Sequence, residues 1–241
     1  MSTPITAWKH LTVAEAKNVW RERSGILLSL GLPIGVLVLG GLNSDAAEFD
    51  TYVMPFALAF IAAFVTIGNV PDYLAEHRHS GVLRRLALTP AHPALLMGAQ
   101  AVVNLAILAA GIGIALGIAV PVFGVSAPVR PGMALLSLAA GTLAMLAIGM
   151  LIAAVAPTTN AARGLGLLAL LLMAGLNGLF VSRGALPSWM VVVGEHLPLG
   201  ATASLMSDAW SGAATSTSHL AALAACGIIA AALAVRYFRW G

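Results

Sequence analysis

The sequence predicts an all-α polytopic membrane protein with six transmembrane helices, an N-terminal interfacial helix and outer re-entrant helices before the last span. Three observations carry this. Of 241 residues 60% are apolar and only 9% charged, against a usual charged share of about 25%, so polar side chains are too few to coat a soluble globule. Charge-free stretches recur at the length of one spanning helix, about 20 residues for a hydrocarbon core roughly 30 Å thick. The Lys and Arg residues also fall unevenly between the two sides that such helices define.

The first span, 25–42, lies between Arg23 and Asp45. Basic residues precede it, but its apolar run is too long and too far into the chain for a cleaved leader, which makes it a signal-anchor helix. The second, 54–70, lies between Asp50 and Asp72. Residues 86–129 carry no charge, and Thr89-Pro90-Ala91-His92-Pro93 and Pro121 trim them to a third span at 95–120. The fourth is 133–156, between Arg130 and Arg163, and the fifth is 164–181. The sixth, 220–235, ends at Arg236-Tyr237-Phe238-Arg239-Trp240, an interfacial anchor. Gly31 with Gly35, and Gly113 with Gly117, are small residues four apart that predict close helix packing within the bundle.

Six spans put both termini on one side. That side holds Lys9, Lys17, Arg21, Arg23, Arg78, Arg84, Arg85, Arg163, Arg236 and Arg239; the other holds only Arg130 and Arg183. By the positive-inside rule both termini are cytoplasmic, in a multi-pass protein of the cell (inner) membrane. Cations with a topological use need no nucleic acid to explain them, and none is expected as a partner. The single cysteine, Cys226, excludes an internal disulfide or a thiolate metal cluster.

Three segments do not span. In 1–24, Ile5, Trp8, Ala16, Val19 and Trp20 share a face opposite Lys9, His10, Lys17, Asn18 and Arg21, which suits a helix lying on cytoplasmic membrane lipid. The cytoplasmic loop 72–93 is far longer than a connector needs to be. There Val82, Leu83 and Leu86 form an apolar edge beside Arg84 and Arg85, which reads either as a small helix docking into a partner or as a solvated turn whose arginines fix topology. On the outer side, 182–218 contains apolar pieces of about ten residues bounded by Gly and Pro. They are too short to cross and read as re-entrant helices, with a loop lying flat as the alternative.

Several chemistries are absent. Lys9 and Lys17 are the only lysines and neither follows a phosphate-binding glycine loop, so ATP hydrolysis needs another subunit. Of the six histidines only His219 is near a span, and His77 and His79 are two apart rather than four, so no metal is expected. No Asp, Glu, Lys or Arg lies mid-span, which argues against ion coupling and places the energy source outside the chain. Asn69, Asn104 and Asn177 are the notable polar groups within spans, where they line a substrate path or tie helices by hydrogen bonds. No catalytic acid/base pair is present, so the chain is not expected to be an enzyme.

Along nearly its whole length the chain resembles the membrane subunits of ABC-2 type exporters, in particular the drug and lipid exporters of the daunorubicin-exporter kind. The most specific motif follows the second span, where Glu76, Arg78, Gly81, Leu83, Leu86, Thr89 and Pro90 are similar to the family's charged run, Gly, Leu-containing segment and Pro. Leu186-Pro187-Ser188-Trp189 and Pro198-Leu199 are similar to its outer segment before the last span. Gly98-Ala99-Gln100 departs from the Gly-Lys that often opens the third span. The resemblance implies one ABC-2 type domain over 1–241. Glu76, Arg78, Gly81, Leu83, Arg84, Arg85, Leu86 and Pro90 would couple it to a separate nucleotide-binding ATPase subunit. Pro187, Trp189, Pro198 and Leu199 would form an outer gate. It further implies a homodimer or a heterodimer with a related permease, ATP and Mg on the partner ATPase and no cofactor on this chain. The expected function is export of a hydrophobic or amphipathic substrate by alternating access. A stand-alone channel or facilitator without an ATPase is the alternative.

Overall fold

The computed structural model describes residues 23–79 and 93–237, with side chains described over 29–75 and 100–237. The described residues form helices joined by short turns, without a strand among them. Helix α1 (Arg23–Leu42) has 20 residues, about 30 Å of rise. Helix α2 covers 46–79 without a break and is followed by α3 (Pro93–Ile118), α4 (Pro131–Val155) and α5 (Thr159–Leu176). Two short helices, α6 (Ser188–His196) and α7 (Pro198–Ser211), precede the last, α8 (Thr217–Tyr237). Within α2, α3, α4, α5 and α8 lie stretches long and apolar enough to cross a membrane. The molecule is thus a polytopic all-α membrane protein, with α1 the shorter apolar member.

Helix α2 is the centre of the bundle. Every residue from Val53 to Ile67 is buried, as expected of a helix that is apolar all round. Tyr52, Phe56, Phe60 and Phe64 stack at four-residue spacing with ring centroids 6.1, 5.7 and 5.6 Å apart. Around this ladder pack α1, α3, α4, α5 and α7.

Prolines shape the bundle's irregularities. The three π-helical segments among the described residues, Phe49–Val53, Phe64–Asn69 and Ala119–Phe123, stand just before or around Pro55, Pro71 and Pro121. Proline has no N–H for the carbonyl one turn back and its ring presses on that carbonyl, so the preceding turn widens. Near Pro71 the neighbours move in close: a Cβ on Gly166 of α5 would lie 2.6 Å from the Ile67 carbonyl oxygen, and one on Gly149 of α4 would strike the Thr66 carbonyl.

Three expectations are corrected. The second span is not confined to 54–70: its helix begins at Ala46 and runs on to His79, so the loop expected over 72–93 opens as helix. The fifth span is Thr159–Leu176 rather than 164–181. In both cases charges taken as boundaries have partners within the bundle. Asp50 accepts hydrogen bonds from the Ser126 backbone N–H and hydroxyl. Arg163 donates from Nη2 and Nε to one Asp72 oxygen, at 2.8 and 3.1 Å, linking α5 to α2. The Thr158 hydroxyl caps α5 by accepting from the Ala161 N–H at 3.1 Å, and Asn177 leads into Gly178 at φ 97°, which ends it. Third, a Cβ on Gly31, Gly35, Gly113 or Gly117 would have nothing among the described residues within 4 Å. The close approaches fall on Gly111, Gly141, Gly149 and Gly166 instead.

The N-terminal helix expected over 1–24 lies outside the described residues apart from the first turn of α1. So do Gly81, Leu83, Arg84, Arg85, Leu86, Thr89 and Pro90.

Candidate functional site: a hairpin folded into the bundle

The segment before α8 is built by its prolines. A residue preceding proline is driven into extended backbone: Leu197, at φ −71° and ψ 152°, both ends α6 and starts α7, because Pro198 follows it. Leu186, at φ −82° and ψ 145°, does the same ahead of Pro187, which caps α6. Two helices joined by one extended residue make a tight hairpin.

The two arms are unlike. In α6 only Gly194 is buried, and Trp189 is 62% exposed. In α7 Pro198, Leu199, Gly200, Ala201, Thr202, Ala203, Leu205, Met206, Ala209 and Trp210 are all buried. Helix α7 packs along α4 and α2. Thr202 donates to the Pro198 carbonyl at 2.6 Å and lies so close to Gly141 that no Cβ fits there. Gly141 is about ten residues inside α4 from Pro131, so the buried tip sits roughly 15 Å below that helix start. This is about half the thickness of a hydrocarbon core.

The open end of α7 is held by the α3–α4 connection. Arg130 donates from Nη2 to the Asp208 carbonyl and from its backbone N–H to the Ala209 carbonyl, each at 3.0 Å. A cation here satisfies carbonyls that a helix C-terminus leaves without donors. Trp210 Nε1 donates to the Ser126 carbonyl at 3.0 Å, and Gly212 at φ 77° ends the helix in the left-handed region.

Beneath the hairpin is a polar knot centred on Asn177, which is 3% exposed. Its Nδ2 donates to the Met173 carbonyl at 2.9 Å and to the Gly194 carbonyl at 3.1 Å. Its own backbone carbonyl accepts from the Tyr52 hydroxyl. Gly200 rests against the Gly194 carbonyl and the Asn177 side chain, a contact only glycine allows. At the knot's edge Arg183 pairs with Glu195 and stands over the Tyr52 ring, 5.6 Å from its centroid. One asparagine thereby ties α2, α5, α6 and α7 together.

Of the four expected gate residues, Pro198 and Leu199 are therefore in the core, while Pro187 and Trp189 are on the surface. The three asparagines are not gathered into one group. Asn69 is 17 residues along α2 from Tyr52, about 25 Å. Gly111 packs on Ile61, and seven residues back from one and on from the other bring Asn104 to the level of Gly68, in the same half as Asn69. Both are half-buried. Glu76 and Arg78 stand on the helical run Val70–His79 that carries α2 beyond the Asp72–Arg163 pair.

The knot's members, Tyr52, Asn177, Gly194 and Gly200, were missed by sequence reasoning except for Asn177. A polar residue next to Gly178 at the end of an apolar run was the one signal available. Among the described residues no group of three metal-ligating side chains occurs.

A family model described as ABC-2 type transporter matches residues 6–209, most of the 241-residue chain. No curated protein matches it.

Proposed function

From the premise that the chain belongs to the ABC-2 type transporter family and is a permease component, not itself catalytic, we infer that it is the membrane subunit of an ATP-driven exporter. Members of the family work with a nucleotide-binding ATPase subunit. Here that subunit would bind the cytoplasmic loop through Glu76, Arg78, Gly81, Leu83, Arg84, Arg85, Leu86 and Pro90 and would hold the ATP and Mg. The Asp72 end of the bundle would be cytoplasmic, with both termini on that side of the cell membrane, and the hairpin would face out. A second permease copy or a relative would complete the transporter. A hydrophobic or amphipathic cargo suits spans that carry no mid-depth charge.

Helix α2 is the observation that supports this reading best. It runs unbroken over 46–79, about 50 Å, from the Tyr52 knot under the hairpin to the segment bearing Glu76 and Arg78. A push at its cytoplasmic end is delivered to the floor of the hairpin through packed backbone. The π turn at Phe64–Asn69, clasped by Gly149 and Gly166, is where such a rod would pivot.

The test is co-expression with a P-loop subunit, followed by pull-down and ATPase assay. The expected result is a stable complex in equal ratio, in which Arg84→Ala/Arg85→Ala leaves insertion intact and uncouples hydrolysis from transport. Purification as a conducting oligomer without an ATPase would instead establish a channel.

A further inference from the structure

We propose that His196 and His219 form a transition-metal site, of the borderline kind that takes zinc, copper or nickel, joining the hairpin to the last helix. The two residues come from α6 and α8, 23 positions apart, and their ring centroids are 5.1 Å apart with planes inclined at 58°. Two imidazoles bound to one tetrahedral zinc at about 2.0–2.1 Å per nitrogen, with a further ~1 Å from nitrogen to ring centre, have centroids roughly 5 Å apart. The observed spacing is that of a bis-imidazole metal pair.

The hydrogen-bond states of the ring nitrogens are compatible with this. His196 Nδ1 lies 2.9 Å from the Val192 carbonyl oxygen. A carbonyl only accepts, so Nδ1 carries the proton and the neutral ring keeps its lone pair on Nε2. A ligating histidine is oriented in this manner by a backbone carbonyl behind it. In His219 the Nδ1 atom is buried without a hydrogen-bond partner among the described residues. Leaving such a group bare is unfavourable, and a bound ion is one way to satisfy it. The surrounding charges are mixed: Glu195 and Asp208 act on His219 with one sign and His196 and Arg183 with the other, and Arg183 is paired with Glu195.

Two protein ligands leave the remaining coordination positions to water. The site is accordingly exchangeable and weaker than a closed four-ligand one. Its occupant would fasten α6, the exposed arm of the hairpin, to α8. The site itself does not depend on the permease reading, since binding is measured on the chain alone.

The experiment uses the full chain purified in detergent without a polyhistidine tag, stripped with EDTA and brought to equilibrium dialysis against micromolar zinc, with a protein-free chamber subtracted. Zinc is then counted by mass spectrometry. Wild type should retain about one zinc per chain; His196→Ala and His219→Ala should lose it. His219→Cys should retain it, because a thiolate replaces the imidazole. His77→Ala/His79→Ala should also retain it, which separates this pair from the cytoplasmic histidines. Zinc should raise the Tm of wild type and His219→Cys but not of the alanine variants, each of which should elute as a single peak. Equal zinc in wild type and in His196→Ala/His219→Ala, or none in wild type, overturns the proposal.

Discussion

Replacing Asn177 with Ala should release the hairpin. The change deletes the two Nδ2 hydrogen bonds, to Met173 and Gly194, and removes the side chain on which Gly200 rests. Losing each hydrogen bond costs about 1–2 kcal/mol, the upper end applying at Gly194, whose carbonyl is left buried and bare. The expected loss is therefore about 2–4 kcal/mol, concentrated where the hairpin meets its floor. At 1.4 kcal/mol per tenfold, even the lower figure multiplies the lifted population by about 30. The sole cysteine makes this measurable. In a Cys226→Ala background, Ala203→Cys places a thiol on buried α7, 8% exposed, where a water-borne maleimide reaches it only when the hairpin lifts. With fast opening and closing, labelling follows the open population. Asn177→Ala should speed labelling about 30-fold or more, and Tyr52→Phe, which removes one hydrogen bond of about 1 kcal/mol, about fivefold. A rate for Asn177→Ala within twofold of the parent would show that the knot does not hold the hairpin.

Two further contrasts follow from the packing. Gly166→Ala forces a Cβ against the Ile67 backbone and should cost about 1–3 kcal/mol, whereas Gly35→Ala meets open space and should be neutral or gain up to about 1 kcal/mol of helix propensity; melting followed by Trp fluorescence checks both. Leu199→Ala empties a fully buried site and should cost about 2–5 kcal/mol. Trp189→Ala, on the exposed face of α6, should stay within about 0.5 kcal/mol of wild type in the same melts. Equal losses for Leu199→Ala and Trp189→Ala would contradict the burial of α7.

What could be read in the sequence depended on how local its cause was. Spans were legible because a 30 Å apolar slab imposes its length directly on the chain. The hairpin was legible because Pro187, Gly194 and Pro198 punctuate runs too short to cross. Boundaries failed at Asp50, Asp72 and Arg163, whose partners lie 76 and 91 residues away; a charge partnered at such a distance looks, in sequence, like a charge facing water. The glycine stripe at Gly31 and Gly35 has a packing motif's spacing but no neighbour among the described residues, while the isolated Gly149 and Gly166 make close contacts. Spacing reports which residues share a face and is silent on what the face meets. The Asn177 knot was hidden for the same reason, since Tyr52, Gly194 and Gly200 reach it from three other helices.

The burial of α2 also bears on how the protein is made. This helix is made before α4, α5 and α7, which its finished surroundings include. Until those arrive, the surface from Val53 to Ile67 must rest in lipid, and an unbroken apolar sequence lets it wait there. The last of these neighbours to be made is α7. Nascent chains stopped before Pro198 would hold an inserted but unfinished α2, with a groove where the hairpin belongs.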